Sequence, residues 1–114
     1  MGKQRILIVE DMQKVRASLG KSMRAYYVVH TASDKGQALR KLASYSYSLV
    51  IIDEDLRGET HREGEDVIKY AKKLNSKRPV LAMSRENCEQ GMLEAGADCF
   101  VFKKELLDHY NQRK

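Results

Sequence analysis

The 114-residue chain predicts a single α/β domain: an open, doubly wound parallel sheet of five strands with helices on both faces. Three observations carry this. Short apolar runs alternate five times with segments of helical periodicity. The first run, RILIV (5–9), lacks polar alternation, as a strand buried on both faces requires. Several runs end abruptly in polar residues, where sheets of this kind hold their ligands.

After RILIV, Met12, Val15, Leu19 and Met23 recur at three- and four-residue steps and mark one face of a helix. YYVVH (26–30) is aromatic and β-branched, hence the second strand. Asp34 can cap a second helix whose buried side is Ala38, Leu39 and Leu42. YSLVIID (47–53) is the third strand, and Val67, Ile68, Ala71 and Leu74 mark the third helix. RPVLAMS (78–84) carries the sole proline near its start, where a strand tolerates it. Ser84 can cap a short fourth helix with Cys88, Met92 and Leu93, ending at Gly96 in a left-handed cap. CFVFK (99–103) is the fifth strand, followed by a last helix through Leu106, Leu107 and Tyr110.

Composition narrows the function classes. Apolar content of 42% and charged content of 32% suit a globular chain, and no apolar run approaches a membrane span. No repeat, linker or low-complexity segment divides residues 1–114. Cys88 and Cys99 lack metal or redox spacing and read as reduced, packed thiols of a cytoplasmic protein. The net charge of +5 is spread among acids, with no basic run beyond two residues, so direct nucleic-acid binding is not expected. The first helix is an exception, with Lys14, Arg16, Lys21 and Arg24 and no acid among them.

The strand ends send matching chemistry to one edge. Glu10 and Asp11 follow the first strand, Asp53 ends the third, Ser84 the fourth and Lys103 the fifth. Asp11 and Ser84 could each be a helix cap, and Glu54 and Asp55 read as loop residues facing water. Gathered carboxylates repel unless a cation joins them, and an all-oxygen set without His or Cys suits Mg²⁺. Such an ion beside a carboxylate, a hydroxyl and an ammonium can handle a phosphoryl group, with Asp53 as the nucleophile that forms an acyl phosphate.

ILIVED (6–11), TASDKGQALRKL (31–42), LVIIDEDL (49–56), VLAMS (80–84) and EAGADCFVFK (94–103) resemble the receiver domain of two-component response regulators. The resemblance implies a flavodoxin-like fold with strand order 2-1-3-4-5. It implies that Asp53 takes phosphate from a histidine kinase or phosphotransfer protein. Glu10, Asp11, Asp53 and the backbone carbonyl of Asp55 would hold Mg²⁺, Ser84 would bond the phosphoryl group, and Lys103 would pair with it. Ser84 and Phe100 would form the switch that shifts the face made by the fourth helix, fifth strand and fifth helix, for a downstream effector domain or protein to read. The domain would be a monomer or a phosphorylation-linked dimer, and no enzyme beyond slow self-dephosphorylation. Asp55 and Glu86 flank the family's route for attacking water and are candidates for setting phosphate lifetime.

The sequence departs from the family's pattern in three places. Arg57 replaces a proline, ahead of a long loop that carries His61. Lys104 replaces the proline after Lys103; that bond is expected trans, which would redirect the Lys103 side chain. The fourth and fifth helices look short, as in a domain truncated at its last helix. These departures motivate an alternative, a phosphorylation-independent pseudo-receiver that serves as an interaction domain. A metal-dependent phosphohydrolase with an Asp nucleophile is a third reading. A flavin or dinucleotide fold is disfavoured because no glycine-rich turn follows the first strand.

Overall fold

The computed structural model describes residues 2–54, 56 and 63–111, with side chains through His109. Arg5–Val9 (β1), Val28–Ala32 (β2), Leu49–Asp53 (β3), Val80–Ser84 (β4) and Cys99–Phe102 (β5) alternate with Gln13–Met23 (α1), Lys35–Ser44 (α2), Glu63–Leu74 (α3), Glu89–Glu94 (α4) and Lys103–Asn111 (α5). Every strand pairing is parallel, and the order is β2-β1-β3-β4-β5.

The unalternated runs are explained by a core on each face. Leu7, Val9, Val50, Ile52, Val80 and Ala82 meet Ala38, Leu42, Val67, Ile68, Ala71 and Met92 on the side of α2, α3 and α4. Ile6, Ile8, Ile51 and Met83 meet Leu19 and Met23 of α1 on the other, with Leu106 and Leu107 of α5 packed alongside. Each fully buried aliphatic side chain contributes roughly 1.5–3 kcal/mol, so the interior strands β1, β3 and β4 supply much of the core's stabilisation.

The structure moves several boundaries. β2 starts two residues late and runs on through Thr31 and Ala32. The backbone N–H groups of Tyr26 and Tyr27 both bond the Met23 carbonyl to close α1, so pairing begins only at Val28 opposite Arg5. β4 likewise starts at Val80, and Lys103 opens α5 directly after β5. Asp34 caps α2 as expected, accepting from the Gln37 N–H at 2.8 Å.

Ser84 does not cap α4. Its Oγ accepts from the Glu86 N–H in a tight turn, and Cys88 holds the N-cap position. α4 ends as the glycine predicts: Gly96 has φ +118°, its N–H bonds the Leu93 carbonyl, and the Ala97 N–H bonds that of Met92. Leu74 is exposed rather than buried, because it lies in the last turn of α3 beyond the sheet. Cys99 is exposed on edge strand β5 and is not a packing residue, whereas Cys88 does pack against the core. The readings of Asp55, Arg57 and His61 lie outside the described residues, as does the side chain of Tyr110.

Candidate functional site

The site begins where β1 and β3, adjacent interior strands, run out of sheet. Ile8 pairs with Ile51 and Val9 with Ile52, so Glu10 and Asp53 emerge side by side at the carboxyl edge. The turn between β1 and α1 is pinned. The Met12 N–H donates to Glu10 Oε2 at 3.1 Å, and Arg16 Nη1 donates to the carbonyls of Glu10 and Asp11 at 2.8 and 3.3 Å. Met12 takes the N-cap position without a side-chain bond, so Asp11 is not the cap of α1. Arg16, counted with the basic residues of the first helix, is half-buried and structural.

Glu10, Asp11 and Asp53 each bring one carboxylate oxygen to within 4.8 Å of the others. Glu10 and Asp53 are buried, at 0% and 1% exposure. Lys103 reaches them across the edge from the start of α5. Its Nζ lies 2.8 Å from Glu10 Oε1 and 3.0 Å from Asp53 Oδ2, itself only 5% exposed. No described peptide bond is cis, so the Lys103–Lys104 bond is trans as expected. The expected redirection of Lys103 does not occur: as the first residue of α5 its side chain points back over the strand ends.

The electrostatics follow from burial. Loss of water, and then the neighbouring Asp53 carboxylate, push the Glu10 carboxyl up, against the opposing pull of Lys103 and Asp11. Burial alone would push Lys103 down, but its contacts with Glu10 and Asp53 outweigh that and hold it above the ordinary lysine value. Three carboxylates face one buried ammonium, which leaves the cluster with an excess of negative charge.

α3 comes close because Gly64 has no side chain. A Cβ there would stand 2.6 Å from the Asp53 carbonyl oxygen and 2.6 Å from Glu54 Cα. At the entry to α3, Lys35 bridges Glu63 and Asp66 at 3.3 and 2.9 Å.

The family model for the response regulator receiver domain matches residues 6–112. The chain belongs to this family. Among solved structures, the domain is similar to a response regulator receiver domain protein from Methanospirillum hungatei JF-1. That match has 24% identity, 99% of this chain, 100% of the other, and a TM-score of 0.81. It is similar to the chemotaxis protein CheY4 of Vibrio cholerae, with 21% identity, coverage of 97% and 98%, and a TM-score of 0.80. It is also similar to a BeF3-activated DrrB receiver domain, with 17% identity, 97% coverage of each chain, and a TM-score of 0.79. At these identities the solved structures show the fold. No curated protein matches the sequence.

The receiver's second polar group gathers around Ser84. Its Oγ lies 3.3 Å from Glu54 Oε2 and 3.6 Å from Cys88 Sγ. Glu54 is therefore half-buried and turned into the domain, a correction to its reading as a water-facing loop residue. Sequence order hides this contact, but strand register exposes it. Asp53 pairs with Met83, so Glu54 falls beside Ser84 on the same face, and its N–H extends the ladder to the Met83 carbonyl at 3.0 Å. Burial first, then Glu54, push the Cys88 thiol up to about 11, which makes it an inert packing group.

Phe100 is half-buried against the α2–α4 core and meets Phe102 edge-on at 5.5 Å. In the ladder Phe102 pairs with Ser84 and Phe100 with Ala82, so both rings flank the Ser84 side of the sheet. Glu86 is exposed, two residues beyond Ser84.

Proposed function

We propose that the domain is a phosphoacceptor switch in a two-component pathway, with Asp53 as the acceptor. The observation that carries this reading is the meeting of Glu10, Asp11 and Asp53 around a net negative pocket already bridged by Lys103. All donors are oxygens and the charge excess is of the size a dication offsets, so Mg²⁺ fits. Glu10, Asp11 and Asp53 would hold it, with the Asp55 carbonyl as the further ligand the family implies. When bound, the ion supplies neutralisation of charge on the phosphoryl oxygens.

The chain's own residues do the rest. An Asp53 carboxylate oxygen attacks the phosphorus of a phosphohistidine on a histidine kinase or phosphotransfer protein. The O–P bond forms as the P–N bond breaks, and the imidazole keeps the electron pair and takes a proton from solvent. Lys103, with three N–H donors, can retain Glu10 while pairing with a phosphoryl oxygen. Ser84 can then donate to another of those oxygens. A phosphoryl group at Asp53 shifts the population of arrangements on the face of α4, β5 and α5, with Phe100 following Ser84, for an effector domain or protein to read.

Loss of phosphate to water is the only further chemistry assigned, which makes the domain a switch and not an enzyme. Glu86, exposed two residues beyond Ser84, and Asp55, at the position the family resemblance implies, would tune that rate. Lys14, Lys21 and Arg24 of α1 are exposed and suit an acidic docking partner. Among the described residues no helix is long and apolar enough to cross a membrane, in keeping with a cytoplasmic role. The pseudo-receiver alternative draws on Arg57 and Lys104, and the contacts of Lys103 weigh against it.

Intact-mass spectrometry after incubation with acetyl phosphate and Mg²⁺ tests the reading. The wild type should gain one phosphoryl group and Asp53→Ala none. A wild type that stays unmodified, or an Asp53→Ala that is still modified, contradicts it.

A further inference from the structure

We propose that Glu54 is the resting partner of the Ser84 hydroxyl and competes for it with a tetrahedral anion on Asp53. This rests on the phosphoacceptor reading above and adds to it a residue that holds the unphosphorylated state.

The hydroxyl of Ser84 is fully used. As donor, its single proton goes to Glu54 Oε2 at 3.3 Å. As acceptor, it takes the Glu86 N–H at 3.1 Å, and the Cys88 Sγ lies 3.6 Å away. Ser84 is 3% exposed, so bulk water competes little for its hydroxyl. One proton cannot serve Glu54 and a phosphoryl oxygen together. Lys103, by contrast, has three and need release nothing.

Glu54 is held in place for this role. Its backbone continues the β3–β4 ladder, and the next described residue, Leu56, is 2% exposed and packed in the α2–α4 core. The backbone that carries Glu54 is thus held by the ladder before it and by buried Leu56 after it. At 3.3 Å its bond to Ser84 is long, hence weak enough to be exchanged for another anionic acceptor. Release of Ser84 from Glu54 is then part of the free energy of switching, and Glu54 sets how far the ligand-free domain leans toward rest.

Beryllofluoride with Mg²⁺ serves as the probe, titrated against amide NMR of the 114-residue wild type, Glu54→Ala, Ser84→Ala and the double variant. Glu54→Ala should lower the half-saturating beryllofluoride concentration roughly fivefold in the wild-type background, the value of one released hydrogen bond. In the Ser84→Ala background the same substitution should change it less than about twofold. An equal fold-change in both backgrounds overturns the proposal in favour of simple charge repulsion, and an unchanged midpoint in the wild-type background overturns it outright. If Ser84→Ala binds no beryllofluoride, the ligand-free Glu86 amide decides. It should move when Glu54 is replaced in wild type and stay fixed in Ser84→Ala; any other pattern contradicts the proposal. A wild type that does not respond at all overturns the phosphoacceptor reading, and this inference with it. A wild type that responds with a midpoint indifferent to Glu54 overturns only the inference.

Discussion

The two ends of the sheet each bury a cation, and they treat it differently. At the carboxyl edge Lys103 lies between Glu10 and Asp53, with Asp11 near, so anionic groups outnumber the cation. At the amino edge Arg78 is as deeply buried, 5% exposed, and among the described residues no carboxylate pairs with it. Its Nη2 donates to the Ala71 carbonyl at the end of α3 at 2.9 Å, and its Nε has no hydrogen-bond partner. Burial, opposed by the Tyr47 side chain nearby, lowers its affinity for its proton. The amino edge is a packing solution with little charge in excess. The carboxyl edge keeps more carboxylates than its one cation offsets, beyond what pinning the turn into α1 requires, and such an excess marks a candidate binding site.

The largest expected effect separates these two cations. Lys103→Met leaves two buried carboxylates facing each other and should destabilise the domain by about 3 kcal/mol in urea unfolding without divalent ions. Arg78→Met removes a poorly satisfied charge, keeps most of the buried stem, and should change stability by less than about 1 kcal/mol. Equal losses would erase the distinction.

Two glycines sharpen it at the level of backbone. Gly64→Ala at the site end drives a Cβ into the backbone of Asp53 and Glu54, which cannot yield, and should lose about 2 kcal/mol together with any response to Mg²⁺. Gly96→Ala at the far end meets no backbone atom among its nearest neighbours: Lys72 Cγ lies at 3.2 Å and Ile68 Cγ2 at 3.8 Å. Its positive φ still makes it unfavourable by about 1 kcal/mol, with the Mg²⁺ response intact. Thermal or urea unfolding with and without Mg²⁺ reads both.

The fold and the carboxylate triad were legible because they follow from local pattern: apolar runs without alternation, and polar residues at the ends of those runs. Gly96 was legible for the same reason, since a left-handed residue is a one-residue requirement. The role of Glu54 was not legible. DED reads as a polar loop, and only the offset between β3 and β4 puts one acid beside Ser84. The structural role of Arg16 was not legible either, because helical periodicity says which face a side chain takes but not that a preceding turn will fold under it. The two-residue shift of β2 reflects its edge position, where Tyr26 and Tyr27 had strand propensity but no partner until Val28. The aim of Lys103 was a three-dimensional matter, decided by where α5 starts.

The smallest predicted effect lies back at the amino half. His30 Nδ1 bonds the Tyr47 hydroxyl at 2.8 Å, and the ring stacks edge-on with Tyr45 and Tyr47. Burial, then Arg5 and Lys41, lower its pKa below the ordinary 6.5. Below pH 6.5 the unfolded chain therefore takes the proton first, and stability should fall as pH drops from there toward the folded-state value. Above pH 6.5 this contribution is constant. His30→Gln should flatten that part of the stability–pH curve without altering the Mg²⁺ response.

The central claim is that three carboxylates at the ends of β1 and β3 form one dication site at Asp53, the proposed phosphoacceptor. Its most direct test is urea unfolding across a Mg²⁺ titration for wild type and Glu10→Gln. Without metal, Glu10→Gln should equal or exceed wild type in stability, because it relieves the repulsion from Asp53. With metal, wild type should gain stability in a saturable way, about 1.4 kcal/mol at ten times its Kd, while Glu10→Gln gains far less. A wild type indifferent to millimolar Mg²⁺, or a Glu10→Gln stabilised as strongly, would contradict the account.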